Sequence, residues 1–247
     1  WSTKAIKEAK AFGNVDVVAS SADTNFSYIP KDYTLTQDHT YVHLTSNNTI
    51  FGTQFHSFPE TDAMVVADMS SDIFCRPIDA NGFDLIYAGA QKNLGPAGTT
   101  LVIIKKEILG KVNRHIPTML NYETHIKKNS SFNTPPVYPI YVCMLTLRWI
   151  EANGGLEAMH RLNKEKADLL YNEIDTNPYF KGTARVEDRS LMNATFVMED
   201  ESLQDLFLQY CTANQVSGIK GHRSVGGFRA SIYNAMPIES VQHLVDL

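Results

Sequence analysis

Lys92 stands in the run Ala88-Gly89-Ala90-Gln91-Lys92-Asn93-Leu94-Gly95-Pro96-Ala97-Gly98, where small residues and tight turns crowd a side chain that ordinarily seeks open water. An amine held in such a loop is partly desolvated, and desolvation together with nearby cations lowers its pKa toward a free nucleophile. The chemistry that suits it is Schiff-base formation with a carbonyl group. The bland alternative is a lysine that caps a turn and points into water. A second residue bears on the choice. Asp68 ends the apolar run Val65-Val66-Ala67, 24 positions before the lysine. A carboxylate at the end of a buried strand needs a cationic partner, unless it merely caps a helix or forms a turn.

A protonated pyridine ring would be such a partner. An ionised Asp68 beside the ring nitrogen of pyridoxal phosphate would keep that nitrogen protonated, so that the ring withdraws electrons from a substrate carbanion. Strand-aspartate followed by loop-lysine is the order this chemistry expects. Arg229 is the third unusual residue, because it lies inside the apolar stretch Phe228 to Tyr233 behind Gly226-Gly227. An arginine cannot shed its charge, so it requires an anion, either a structural salt bridge or a ligand carboxylate.

The elements that would position these groups follow from periodicity. Leu85-Ile86-Tyr87 and Thr99 to Ile104 read as strands on either side of the lysine loop, and Asp62 to Ala67 as the strand leading to Asp68. Val15 to Ala19 and Tyr41 to Leu44 read as further strands, and the polar stretch from Asp23 to Asp38 as a surface excursion. Ser2 is placed to cap a first helix with Ala5, Ile6, Ala9 and Phe12 on its apolar face, ended by Gly13-Asn14. Lys105 to Val112 reads as a short helix and Tyr122 to Thr134 as a polar loop. Pro139 to Ala152 reads as a helix buried on much of its surface, stopped by Asn153-Gly154-Gly155. Leu156 to Ile174 is a long amphipathic helix with Leu156, Met159, Leu162, Ala167, Leu170 and Ile174 as core positions and His160 solvated. Met192 to Met198 and Phe228 to Tyr233 read as strands, Ser202 to Ala213 and Pro237 to Leu247 as helices. Alternating strands and helices predict an α/β chain with a mostly parallel sheet, followed by a smaller α+β C-terminal domain, divided as 1–152 and 153–247.

Composition narrows the class. At 247 residues and 43% hydrophobic, the chain can bury a sizeable core. The net charge of -5, with 22 basic residues interspersed among 27 acidic ones, argues against nucleic acid as a partner. No apolar run is long enough to span a bilayer, so no membrane partner is expected, and no signal-peptide pattern opens the chain. Cys75, Cys143 and Cys211 are too widely spaced for a disulfide framework or a C-x-x-C metal motif, which predicts inert thiols, no metal site and a reducing cytoplasmic home. The glycine-rich loop has no G-x-x-x-x-G-K-[ST] pattern and no acidic ribose-binding partner, which leaves a nucleotide binder weakly supported.

Four stretches together resemble one family. Asp68-Met69-Ser70-Ser71 through Arg76-Pro77-Ile78-Asp79, then Tyr87 through Gly98, Phe132-Asn133-Thr134-Pro135-Pro136, and Lys220 through Pro237 are similar, in order, to the phosphoserine aminotransferases, class V enzymes of fold type I that use pyridoxal phosphate. The resemblance implies an aspartate-aminotransferase-like fold and transfer of an amino group between L-glutamate and 3-phosphohydroxypyruvate, giving O-phospho-L-serine and 2-oxoglutarate. That reaction serves serine biosynthesis and, as a further expectation, pyridoxine biosynthesis.

Residue by residue, the resemblance makes Lys92 the imine-forming lysine and proton shuttle, and Asp68 the partner of the ring nitrogen. Trp1 would stack on the ring, Thr49 would bond its hydroxyl, and Gln91 would reach the cofactor phosphate. Asn133 and Thr134 would reach that phosphate from a neighbouring subunit, so the enzyme would be a homodimer with shared active sites. Arg229 would grip the substrate α-carboxylate, while His222 and Arg223 would bind the substrate's own phosphate. The family carries a segment before the position of Trp1 and a little more after Leu247, so a truncated chain, inactive by itself and acting as a dimerisation module, is one alternative. Another class V enzyme, a cysteine desulfurase or an alanine-glyoxylate aminotransferase, is the other; Gly221-His222-Arg223 with Arg229 disfavours it.

Overall fold

The computed structural model describes residues 1–35, 38–223 and 225–247. Helix α1 (Ser2–Ala9) comes first. Ser2 lies inside it rather than capping it, and its hydroxyl instead meets Thr45 Oγ1 at 3.0 Å, tying the helix to the end of a strand. No strand forms at Val15 to Ala19, where Val17 and Val18 stay exposed, because β-propensity yields a strand only where a neighbour pairs with it. The polar excursion from Asp23 to Asp38 falls partly on Thr36 and Gln37, outside the described residues.

Four strands and a hairpin come next. Strand β1 (Val42–Thr45) leads into a two-stranded hairpin of β2 (Asn47–Asn48) and β3 (Thr53–Gln54). Then come β4 (Val65–Asp68), β5 (Leu85–Gly89) and β6 (Thr100–Ile104), forming a sheet of order β1-β4-β5-β6. The first two pairings are parallel and the last antiparallel, so the sheet is mixed and mostly parallel. Leu44, Ala67, Ile86 and Ala88 point to one face and pack with Met69, Ile73, Phe83 and Leu94 in a first hydrophobic core. The two-residue period sends His43, Thr45, Asp68 and Tyr87 to the opposite face, and the register sets Asp68 between Thr45 and Tyr87.

The remaining chain is helix-rich. Residues 122–134 are not all loop: Asn121 Oδ1 accepts from Glu123 N at 3.0 Å and starts α2 (Tyr122–Lys127). Residues 105–112 form only a short 3-10 turn at Lys106–Ile108. Helix α3 (Val137–Ala152) is not buried on most of its surface. Of its residues only Cys143 and Ile150 are buried, whereas Val137, Tyr138, Tyr141 and Leu145 stand exposed. Its composition had promised a core helix; in one chain it is an apolar surface instead. Helix α4 (Gly155–Thr176) buries Met159, Ala167, Leu170 and Ile174 as its period requires, but also Asn163 and Lys166. His160 is half-buried, and its Nδ1 is enclosed without a hydrogen-bond partner, so it is not the solvated residue its position suggested.

Strands β7 (Phe180–Gly182) and β8 (Asn193–Met198), helix α5 (Gln204–Ala213), strand β9 (Phe228–Ser231) and helix α6 (Ile238–Val245) complete the chain. The antiparallel sheet β7-β8-β9 packs on α4 and α6 around a second core. Phe180, Phe196, Phe207 and Phe228 meet there with centroids 5.0 to 5.5 Å apart, edge-on in most pairs, the geometry that aromatic quadrupoles favour. All three cysteines are buried and unbridged, and burial pushes the Cys75 thiol up to about 12, which leaves it unreactive at neutral pH. Among the described residues, no helix is long and apolar enough to cross a membrane.

Candidate active site

Parallel strands end together on one edge of a sheet, so residues just beyond β1, β4 and β5 are neighbours in space. Asp68 closes β4, and its carboxylate is held in place: Oδ1 accepts from Ser70 N at 2.9 Å and from Ser70 Oγ at 2.6 Å. Ser70 Oγ in turn accepts from Gly89 N at 3.1 Å, so the end of β5 helps to aim the aspartate. Tyr87, beside Asp68 in the register, shares a 2.9 Å hydrogen bond with His43 Nε2. Burial, with the Asp68 charge as a second cause, raises the Tyr87 pKa and keeps that hydroxyl neutral. Burial likewise lowers the His43 pKa.

Lys92 reaches the same edge from the loop joining β5 to β6. Backbone bonds from Leu94 N and Gly95 N to Ala90 O fold that loop back on itself. A Cβ at Gly95 would meet Cys143 Sγ at 2.9 Å, so only glycine lets the loop lie this close to α3. The Lys92 ammonium donates to Thr49 Oγ1 at 2.7 Å and stands 5.5 Å from the centre of the half-exposed Trp1 ring. Burial lowers its pKa below the usual lysine value; Asp68 opposes that shift, Arg229 adds to it and Asp72 opposes it. The sign is the one a nucleophilic amine needs.

Arg229 arrives from β9, in register with Thr195, and its Nη1 donates to Thr49 O at 3.3 Å. Its Nε is buried and lacks a partner, and it forms no ion pair among the described residues. An enclosed Nε with no acceptor, on a cation with no counter-ion beside it, costs free energy until an anion meets it, which makes this a fitted receptor for a carboxylate. The set therefore suits pyridoxal phosphate and an amino-acid substrate: a desolvated amine for the aldehyde, a fixed carboxylate for the ring nitrogen, and an indole beside them. A cleft of about 540 Å³ lined in part by Gln54, His56, Phe58 and Asp188 contains none of these residues.

Trp1, Thr49, Asp68, Lys92 and Arg229 thus converge. The other expected residues do not join them in the single chain. Gln91 is exposed, its amide lying over Gly89, where a Cβ would meet Oε1 at 2.8 Å. Asn133 and Thr134 are exposed, and Asn133 Nδ2 contacts Met119 Sδ at 3.3 Å. Arg223 is exposed and His222 half-buried, on a turn in which His222 O accepts from Val225 N and Gly226 N; Ser224 beside them is outside the described residues.

Sequence reasoning missed Ser46, Ser70 and Asp72. Ser46 Oγ bonds both Asp68 O, at 3.0 Å, and the Asp72 carboxylate, and Gln54 Nε2 donates to Asp72 Oδ2 at 3.1 Å. Burial raises the Asp72 pKa to about 6. The signal was present in Asp68-Met69-Ser70-Ser71-Asp72, where polar residues recur at a strand end that opens a tight turn.

The fold and this site define an aminotransferase: the chain belongs to the class-V aminotransferase family, whose model matches residues 1–244. Among named relatives, a phosphoserine aminotransferase of Flavobacterium psychrophilum is 60% identical over 247 residues, covering all of this chain and 69% of that protein. A solved phosphoserine aminotransferase from Bacillus circulans subsp. alkalophilus superposes with a TM-score of 0.96 at 48% identity, covering 100% of this chain and 69% of that one. A pyridoxal-phosphate-bound phosphoserine aminotransferase from Trichomonas vaginalis gives 0.94 at 40% identity, over 100% of this chain and 72% of that one.

Proposed function

We propose that this chain carries the pyridoxal-phosphate-dependent exchange of an amino group between L-glutamate and 3-phosphohydroxypyruvate, yielding O-phospho-L-serine and 2-oxoglutarate for serine biosynthesis in the cytoplasm. One observation carries the reading. Thr49 accepts the Lys92 amine on its hydroxyl and the Arg229 guanidinium on its carbonyl, so nucleophile and carboxylate receptor meet at a single residue. Relatives about 60% identical bear the name of this activity.

Pyridoxal phosphate, when bound, supplies an aldehyde that captures amines and a ring that accepts electrons from the substrate. Lys92 would hold the cofactor at its aldehyde and, once the substrate amine has taken its place, its free amine would take a proton from the substrate Cα as base and deliver it as acid. Its lowered pKa raises the fraction of free amine at neutral pH. Asp68, fixed by Ser70, places a negative charge beside the ring nitrogen. Trp1 would cover one face against water, Thr49 would orient the ring oxygen, and Gln91 would turn from its place over Gly89 toward the cofactor phosphate. Arg229 takes the α-carboxylate in a two-pronged grip.

Asn133 and Thr134, and His222 and Arg223 at the substrate phosphate, act in a homodimer. The exposed apolar flank of α3, with Tyr138 71% and Val137 68% exposed directly after the Asn133 loop, supports that assembly. The chain is read as a cofactor domain, 1–152, and a smaller domain, 153–247.

Adding pyridoxal phosphate, reducing with borohydride and mapping peptides tests the reading. A pyridoxyl group on Lys92 is the expected result, and label elsewhere or none overturns it. Keto acids with and without a phosphate then separate this activity from that of other class V enzymes.

A further inference from the structure

Three asparagines join the lysine loop to the C-terminal half of the chain. Asn93, Asn163 and Asn234 are 6%, 0% and 2% exposed, and they come from the lysine loop, from α4 and from the segment after β9. Their amides take three consecutive carbonyls of one turn. Asn93 Nδ2 donates to Ile73 O at 2.6 Å, Asn234 Nδ2 to Phe74 O at 2.8 Å and Asn163 Nδ2 to Cys75 O at 3.0 Å. They also bond one another, Asn234 N donating to Asn93 Oδ1 at 2.9 Å and Asn163 Nδ2 to Asn234 Oδ1 at 2.7 Å. Phe74, at the centre of the turn, has a φ of 58°. That left-handed conformation is costly for an aromatic residue and persists only where its surroundings over-determine it.

Each partner in this junction adjoins one group of the site. The turn starts five residues after Asp68, Asn93 follows Lys92 directly, and Asn234 lies five residues after Arg229. Only a side chain with both a donor and an acceptor can close such a ring of bonds; a carboxylate would lack the donor, and an apolar residue would orphan a buried carbonyl. The directionality matters as well. Apolar surfaces tolerate sliding, whereas directional amide bonds such as these, which leave only Asn163 Oδ1 without a partner among the three side-chain amides, fix one register.

We propose that Asn93 and Asn234 are positioning residues that set the spacing between the Arg229 guanidinium and the Lys92 amine, and thereby select amines bearing an α-carboxylate over amines without one. This rests on the function proposed above. The chemistry of the selection is simple. An amine without a carboxylate makes no use of Arg229 and is indifferent to a shifted register, whereas an amino acid must satisfy guanidinium and reacting carbon together.

The test compares Asn93→Ala and Asn234→Ala with Leu170→Ala, which opens a void in the second core away from the junction. Single-turnover rates of the cofactor-loaded protein are measured with glutamate and with propylamine. The ratio of the two rates is expected to fall about tenfold to a hundredfold in both asparagine variants, as a misplacement near 1 Å produces, and to hold in Leu170→Ala. A second readout uses the cofactor-free protein. A double-mutant cycle on the unfolding equilibrium should show Asn93→Ala and Asn234→Ala coupled by about tenfold, and each additive with Leu170→Ala within about twofold.

An unchanged ratio in a folded asparagine variant, or an equal fall in Leu170→Ala, overturns the proposal, as does an additive cycle. If Asn93→Ala does not fold, Asn234→Ala, which keeps its backbone bond to Asn93, still reports the rate ratio. Absence of pyridoxyl label on Lys92 in the unsubstituted protein would fail the functional reading instead, and the cofactor-free cycle would still test the junction.

Discussion

Lys166 and Lys92 lose water to different depths when this chain folds, and they are put to opposite uses. Lys166 on α4 has no exposed surface, and its ammonium donates to Ile232 O at 3.0 Å, Tyr233 O at 2.8 Å and Met236 O at 3.2 Å. Burial lowers its pKa to about 8. Lys92 is half-buried and donates to a single hydroxyl, with Asp68 and Asp72 opposing the lowering that burial imposes. Both amines are desolvated, yet only one can react. Lys166 has three hydrogens for three carbonyls and no path to a ligand, so it acts as a clamp on the segment after β9. A lowered lysine pKa therefore marks a reactive residue only when the amine is reachable and under-bonded.

The strongest way to break the comparison is to remove the reactive amine. Lys92→Ala is expected to abolish turnover and the borohydride-fixed label while leaving the fold intact, because the site gives up one exchangeable hydrogen bond; turnover assays and circular dichroism check both. Label appearing on Lys166 would reverse the argument. Arg229→Lys comes next. A lysine keeps the charge but not the planar fork, and the lost hydrogen bonds to a charged carboxylate amount to about 1.5–3 kcal/mol each, so kcat/KM for glutamate should drop about tenfold to a hundredfold.

Lys166→Met sharpens the structural side. It leaves three buried carbonyls without their donor, at about 1–3 kcal/mol for each that water cannot reach, and should lower the unfolding midpoint in calorimetry without changing the label on Lys92. The pH dependence follows from the sign of the shift. Between about 8 in the folded state and 10.5 unfolded, the unfolded chain binds the proton more tightly, so stability climbs as pH rises through that window and the variant loses the slope.

The smallest effect concerns Asp72. Its folded pKa of about 6 lies above the ordinary 3.8, so the folded state holds the proton more tightly in between. Its contribution is fully present below 3.8 and lost as pH rises to about 6. Asp72→Asn should flatten that part of the stability curve in denaturant titrations, and an unchanged slope would show that another group titrates there.

Much of the sheet was legible because burial alternates with a period of two. Tyr41 to Leu44, Leu85 to Tyr87 and Thr99 to Ile104 became strands within a residue or two at their ends, and Asp62 to Ala67 became one that starts later, at Val65. Val15 to Ala19 carries the same composition and forms none, because the pattern names a face but not a neighbour. The α3 helix was found and its burial misjudged for a related reason: apolar residues on all sides say that the surface must be covered, not by what. Asn163 and Lys166, absent from the core positions that the period of α4 suggests, are both fully buried. Their satisfaction lies in backbone carbonyls far along the chain.

The sequence alone determined which residues were chemically unusual: a lysine among small residues, an aspartate ending an apolar strand, an arginine inside another. These are local facts, set by side-chain type and a short repeat. Only the tertiary structure decided that Thr49 would hold both Lys92 and Arg229, 43 and 180 positions away, and that Asn234 would bond Asn93 across 141. Hydrogen bonds between distant segments follow no period, because their donors and acceptors are brought within reach by the packing of two apolar cores rather than by their own spacing.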